Sequence, residues 1–283
     1  MSLRIDRLLT QAVIRRYLTP RLLTQAVIPQ EKISPTEFST TLKLLGSEDT
    51  SVVMVHSSLK MAGVNAPVEA ILQSIIDSFP QSDILFPKFR LWGTMKTSLE
   101  RLQGKDIFKS ASTTGALSIV ASKDFGAATS IHPTHAIAAL GPNSLKITHN
   151  HENDQYVFSE KSPFNWLRQK KGKILFLGVD FEVMTFVHCV EAVHREKFGF
   201  VFNKQPSQIE FQSNAEAYKK SYYCTRPILA KFRMVERLRN HLLAKGYISE
   251  YRHHGIVITL VDAPGVEEVM LDLYDTYGAT IYG

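Results

Sequence analysis

Cysteine is scarce in this 283-residue chain: Cys189 and Cys224 are the two present, and no CxxC pair occurs. Two thiols build no disulfide framework, and the spacing of a thiolate metal site is missing. Such usage suits a reducing compartment. Long apolar runs are also lacking. None approaches the roughly 18–20 residues a membrane helix needs. The N-terminus shows no unbroken apolar stretch leading to a small-residue cleavage site. The expectation is a soluble, cytoplasmic protein that does not engage a membrane. No GxGxxG or Walker A loop is present, so dinucleotide and P-loop folds lack support. The HExxH pair of zincins and the GxSxG elbow of α/β hydrolases are absent as well. Charge of one sign is not concentrated: 33 basic and 27 acidic residues leave a formal +6. The doublets Arg15-Arg16, Lys170-Lys171 and Lys219-Lys220 are scattered, whereas a nucleic-acid binder presents a dense stripe. The mild positive balance reads first as a solvated basic surface, and its functional reading is attraction of an anionic ligand.

What is there begins with a duplication. Arg7–Ile14 reads RLLTQAVI and Arg21–Ile28 repeats it, an offset of 14 residues or about four helical turns. Two copies are too few for a solenoid, so residues 1–33 read as an N-terminal helical extension with an internal duplication. Residues 34–283 read as one domain, a length that α/β units often fill. Ser34-Pro35 is a helix start. Val52–Val55 is an apolar strand, Val68–Phe79 a helix and Ile84–Pro87 a strand closed by proline. The polar stretch Lys88–Ser112 is expected to be a long loop. Thr114–Ala121 is a turn entering a helix, Ala136–Leu140 a strand and Lys173–Val179 the clearest buried strand. Helices are expected over Thr185–Glu196, Pro227–Ala244 and Val266–Tyr277, with a strand at Ile256–Val261. Strands and helices alternate, the pattern of a layered α/β domain.

Ten histidines are present, and several fall at strand ends. His56 closes the first strand and precedes Ser57-Ser58, and His132 and His135 sit in HPTH. His188, Glu191 and His194 recur every three residues, so they share one helical face. Three chemistries fit. Imidazole titrates near neutrality and can take a proton from an attacking amine, with a carboxylate holding its tautomer. The same face could ligate a metal, although the HExxH geometry is missing. Cys189 beside His188 could serve as a nucleophile, but adjacent helical residues point about 100° apart. Ser57 beside His56 is another nucleophile, without an elbow motif. The aromatic and basic run Tyr222–Arg226 reads as a helix face packed on a core.

In order along the chain, these motifs resemble the aminoglycoside 3-N-acetyltransferase family. The carriers are Val53-Met-Val-His56-Ser57-Ser58-Leu59 with Gly63, Thr114-Gly115-Ala-Leu, and His132-Pro133-Thr134 with Gly141-Pro142. Ser162-Pro163-Phe164, then Ile174–Val179, then Thr185-x-x-His188-x-x-Glu191 complete the set. The resemblance implies a three-layer α/β/α sandwich with a mixed central sheet, unrelated to the GNAT acetyltransferases. It implies acetyl-CoA as co-substrate, no metal, and a primary amine of an aminoglycoside or related amino sugar as acceptor. That activity belongs to antibiotic resistance or to polysaccharide biosynthesis. A catalytically altered member binding coenzyme A or sugar is the alternative, and monomer and homodimer both fit. By resemblance His188 is the general base, oriented by Glu182 or Glu191. His56, Ser57, Ser58, Leu59, Lys60, Gly63 and Thr114 belong to the coenzyme side. His132, His135 and Thr185 belong to the substrate side, with His56 and His132 also near the chemistry. The sequence departs from the family at Thr129 (usually arginine), at His135-Ala136 (usually serine) and over Lys88–Lys109. These departures bear on the acceptor more than on the reaction.

Overall fold

A computed structural model describes residues 32–278, with backbone only at 230–232; the duplicated extension lies outside the described residues. Seven strands form a central mixed sheet. In chain order they are β1 (Val52–Ser57), β2 (Asp83–Phe89), β3 (Ala128–Thr129), β4 (His135–Leu140), β5 (Lys173–Leu177), β8 (Ile248–His253) and β9 (Ile256–Asp262). The spatial order is β3-β4-β2-β1-β5-β9-β8. The three central strands β2, β1 and β5 run parallel, and the flanking pairs are antiparallel.

Each central strand is apolar on both faces, as a sheet covered by helices on both sides requires. Val53 and Val55 of β1 pack into one core with Phe38, Leu42, Ile71, Leu72 and Ile75. These come from α1 (Pro35–Leu44) and α3 (Val68–Ser78), which follows the short α2 (Leu59–Ala62). Val52 and Met54 point the other way, into a core with Leu99, Leu167, Val187, Val190 and Val269. That second layer is built from α4 (Met95–Leu102), α7 (Pro163–Gln169), α8 (Val187–Val193) and α11 (Ala263–Tyr277). The remaining helices are α5 (Ala116–Asp124), α6 (Ser144–Thr148), α9 (Arg195–Phe198) and α10 (Val235–Ala244), and a separate hairpin pairs β6 (Ser207–Ser213) with β7 (Glu216–Tyr222). This is the expected three-layer α/β/α arrangement on a mixed sheet. Among the described residues no helix is long and apolar enough to cross a membrane.

Several local expectations need correction. The stretch from Lys88 is not a long loop: β2 runs on to Phe89, and α4 follows with a capping box between Thr94 and Thr97. Met95, Leu99 and Leu102 are buried at helical spacing, a periodicity hidden by the polar residues between them. Pro87 does not close β2. Pairing with β1 already ends at Leu85, so no ladder donor is missed there. Pro227–Ala244 is not one helix. A 3-10 segment covers Pro227–Phe232 and α10 begins only at Val235. Tyr222–Arg226 is not a helix face either, because Tyr222 ends β7 and an extended chain follows. The hairpin of β6 and β7 escaped notice because its turn residues, Asn214 and Ala215, include no glycine, although both adopt positive φ of 50° and 67°.

One glycine governs how the site assembles. Gly178, just past β5, has φ +60°, and a Cβ there would collide with the backbone of Met61 and Ala62. Only glycine tolerates both the left-handed conformation and that approach. It seats α2, and with it the turn after β1, directly against the end of β5.

Candidate active site

The carboxyl ends of β1, β2 and β5 lie side by side, and open parallel sheets place their ligand crevices at such ends. Two cavities occur in this part of the molecule. The first, about 230 Å³, is lined by His188 and His135, by Leu91 and Gly93–Met95, by Tyr156–Phe158, by Val201–Phe202 and by Tyr223, Thr225–Pro227, Leu229 and Arg233. The second, also about 230 Å³, is lined by Val55–Ser57, Phe86–Pro87, Thr113–Gly115, Leu117–Ser118, Val179 and Val183.

His188 reaches the first cavity from the first turn of α8. The chain leaves β5 at Gly178, makes a 3-10 turn at Phe181–Val183 and enters the helix through Thr185, whose carbonyl accepts from the His188 N–H at 3.0 Å. Glu191, three residues on, is fully buried, and its Oε2 lies 2.6 Å from His188 Nδ1. An ionised carboxylate at that distance would accept from Nδ1–H and leave the Nε2 lone pair free. The imidazole side chain is 18 % exposed. Its ring packs 5.5 Å from Phe158, which lies 4.9 Å from His135. Glu182 sits exposed on the 3-10 turn with its own N–H bonded to Asp180. Of the two carboxylates expected to orient His188, Glu191 therefore holds the contact. Thr185 is half-buried and bonds Val183 O through its hydroxyl at 3.2 Å; it shapes the helix start and does not line the cavity.

The HPTH segment splits between two environments. His135 begins β4, bonds Thr134 Oγ1 through Nδ1 at 2.8 Å and faces the first cavity. Burial, with the neighbouring charges of His188 and His151, holds its pKa well below the usual imidazole range. His132 does not line either cavity, contrary to expectation. It is fully buried, and its Nδ1 accepts from the N–H groups of Thr134 and His135 at 3.2 and 2.9 Å. Its ring stands 4.7 Å from both His151 and Tyr222, and desolvation pushes its pKa well down. It serves to shape the turn.

On the second cavity, His56, Ser57 and Thr114 are all part of the lining. The His56 ring stacks on Phe176 at 5.4 Å, its Nε2 is buried without a partner, and burial lowers its pKa to about 4. Gly115, also in this lining, caps α5 with no side-chain bond to the first turn, whose amides have no intrahelical acceptor. Ser58, Leu59, Lys60 and Gly63 lie outside the wall. Ser58 N–H bonds Leu177 O at 2.9 Å, Lys60 is exposed, and Gly63 ends α2 with its carbonyl bonded to Ile33.

Two further chemistries can be placed. His194 turns to Glu267 at 2.6 Å, so it and His188 serve different partners on one helical stretch. Cys189 is fully buried and its thiol is pushed far up by desolvation, which leaves it unreactive.

The sequence model for the aminoglycoside 3-N-acetyltransferases matches residues 54–274, most of the chain. The chain belongs to the aminoglycoside 3-N-acetyltransferase family. Within this acyltransferase family, it is 26 % identical over 221 residues to the SPbeta prophage-derived aminoglycoside N(3')-acetyltransferase-like protein YokD of Bacillus subtilis (strain 168), covering 71 % of this chain and 78 % of that one. The fold is that of the solved aminoglycoside acetyltransferase AAC(3)-IVa apoenzyme, with a TM-score of 0.71, 16 % identity and 88 % and 91 % of the two chains covered. It is also that of AAC-IIIb in a binary complex with CoASH, with a TM-score of 0.68, 18 % identity and 84 % and 94 % covered.

Sequence reasoning missed Tyr156, Tyr223, Arg226 and Arg233 on the first cavity and Thr113 and Ser118 on the second. Tyr223 and Arg226 lie in the run Tyr222–Arg226, whose pattern reads as a helix face on a core, and none of the six carries a functional motif. The hairpin of β6 and β7 carries the chain back to the site, and only an alternation such as Ile209-x-Phe211-x-Ser213, buried at every second residue, could have announced it.

Proposed function

We propose that this chain is an acetyl-CoA-dependent N-acetyltransferase that acetylates a primary amine directly, with His188 as general base. The observation that carries the reading is the His188–Glu191 pair at the wall of an open cavity. The imidazole has its Nδ1 committed to a buried carboxylate and its Nε2 available. A base must lie within hydrogen-bond reach of the proton it takes, so the first cavity is assigned to the acceptor amine. The second is assigned to the acetyl-CoA side, where the hydroxyls of Ser57, Thr113, Thr114 and Ser118 and the open first turn of α5 offer donors. AAC-IIIb, which shares the fold, binds CoASH, and this supports the assignment.

In the proposed step the amine nitrogen bonds to the thioester carbonyl carbon, and His188 Nε2 takes the proton that nitrogen sheds. Glu191 stabilises the resulting imidazolium and keeps the ring in place. As the C–S bond breaks, His188 returns the proton to the departing sulfur. The products are an amide and free coenzyme A thiol, and the histidine ends neutral. Exchange of a thioester for an amide is downhill, so holding the two reactants together is the main task.

The test is thiol release from acetyl-CoA over a panel of amines, with mass spectrometry of the acceptor. Acetylated amine in step with released thiol is expected. Coenzyme A binding by calorimetry with no amine acetylated would identify a binding module instead, and no coenzyme A binding at all would end the reading.

A further inference from the structure

The first cavity is cationic where an antibiotic-modifying enzyme would be anionic. Its wall carries Arg226 and Arg233 and no carboxylate. Neither guanidinium is ion-paired among the described residues. Arg226 is exposed and gives one hydrogen bond, from Nη1 to Phe200 O at 3.3 Å. Arg233 donates from Nη2 to Met184 O at 2.8 Å, four residues before His188, and its Nε is buried with no partner. Three carboxylates of the flanking segments are occupied elsewhere, and Glu182, on the turn before Met184, is exposed and lines neither cavity. Glu191 holds His188, Glu160 pairs with Arg195 at 3.2 Å, and Asp154 is buried on the Ser159 hydroxyl and the Tyr156 and Lys161 amides. Beside the arginines stand Tyr156 and Tyr223, stacked on each other at 4.6 Å with planes 8° apart.

An aminoglycoside carries several ammonium groups, and each one moved into such a cavity would lose water and meet a like charge. The volume, about 230 Å³, is also at the small end for a ligand site. We propose that the physiological acceptor is a small amine bearing an anionic group, a phosphate or carboxylate, which Arg226 and Arg233 receive while His188 faces the amine. Guanidinium forks match both anions in geometry. This inference rests on the assignment of the first cavity to the acceptor. The phosphates of coenzyme A share the same chemistry, so the test must seat them first.

Calorimetry on the protein saturated with coenzyme A would use two matched pairs of amines, glucosamine with glucosamine 6-phosphate and ethanolamine with O-phosphoethanolamine, and sisomicin as a polycation. In at least one pair the phosphorylated amine is expected to bind about 10–100-fold more tightly, the scale of hydrogen bonds to charged groups. That advantage should collapse in Arg226→Gln and Arg233→Gln and survive in Arg226→Lys, while coenzyme A affinity stays within about twofold. Arg226 is exposed, so its variants keep the test valid if Arg233→Gln does not fold. Three results would each overturn the proposal: no advantage in either pair, an advantage indifferent to both arginines, or sisomicin as the tightest ligand. So would a loss that falls on coenzyme A rather than on the amine. Thiol release separates the two readings. Arginine-dependent binding without release refutes acetyl transfer, and of this inference leaves only the anionic amine as a ligand of the first cavity, not as an acceptor. Acetylation of sisomicin or glucosamine alone does the reverse.

Discussion

His188 and His132 are both packed among aromatic rings, yet they have opposite settings. His188 is part-exposed at a cavity wall with a buried carboxylate on one nitrogen and the other nitrogen open. His132 is sealed, with one nitrogen spent on two backbone amides and the other buried without a partner. The contrast teaches that a histidine's role follows from what each ring nitrogen faces, and not from its lying in a motif.

The strongest way to break that contrast is His188→Ala. Turnover should fall roughly 10²–10⁴-fold, with the melting temperature almost unchanged; near-normal turnover in a folded variant would remove the base. His132→Ala should do the converse. It leaves two buried amides without an acceptor and a void among rings, costing about 2–4 kcal/mol of unfolding free energy. Its turnover per folded molecule should stay within about threefold, and a collapse of turnover without loss of stability would erase the distinction.

The carboxylates sharpen it further. Glu191→Gln keeps an acceptor for Nδ1 but removes the charge that stabilises the imidazolium, so a roughly 10–100-fold loss of turnover is expected. Glu182→Gln should change it by no more than about twofold, the usual outcome for an exposed residue without a specific role. Equal losses would mean that the Nδ1 contact is not what orients the ring.

Acid titration probes the sealed group as a whole. Burial lowers the pKa of His56 and of His151 to about 4 from the ordinary 6.5. The unfolded chain therefore takes up protons first. Stability is full above about pH 6.5 and declines as pH falls toward 4. Denaturant melts at pH 7 and pH 5 should differ by about 1–2 kcal/mol for each of these two histidines. Flat or rising stability over that interval would contradict their burial in the neutral form.

Much of the sheet was legible before folding. Val52–Val55 and Lys173–Val179 are apolar on both faces, and a strand that is covered on both sides reads as a continuous run. Ser34-Pro35 announced α1 because a capping hydroxyl and a proline at the first position are local chemistry. The spacing of His188 and Glu191 already put them on one helical face. Reading failed where the cues were weak or distributed. The periodic residues of α4 are diluted by polar neighbours, the β6–β7 turn lacks glycine, and Pro87 looked like a stop although nothing pairs with its missing donor. His132 and His135 could not be told apart at all: three residues separate them, but one faces a cavity and the other a core.

Local sequence by itself determined the central strands, the helix starts and the placing of His188 and Glu191 on one helical face, because each depends on neighbours within a few residues. Only the tertiary structure decided which carboxylate touches His188 and which histidines are sealed. It also brought two arginines from a distant segment to the wall of the first cavity. Those outcomes turn on which atoms exclude water around a group, and that is set by chains far apart in sequence meeting across the sheet.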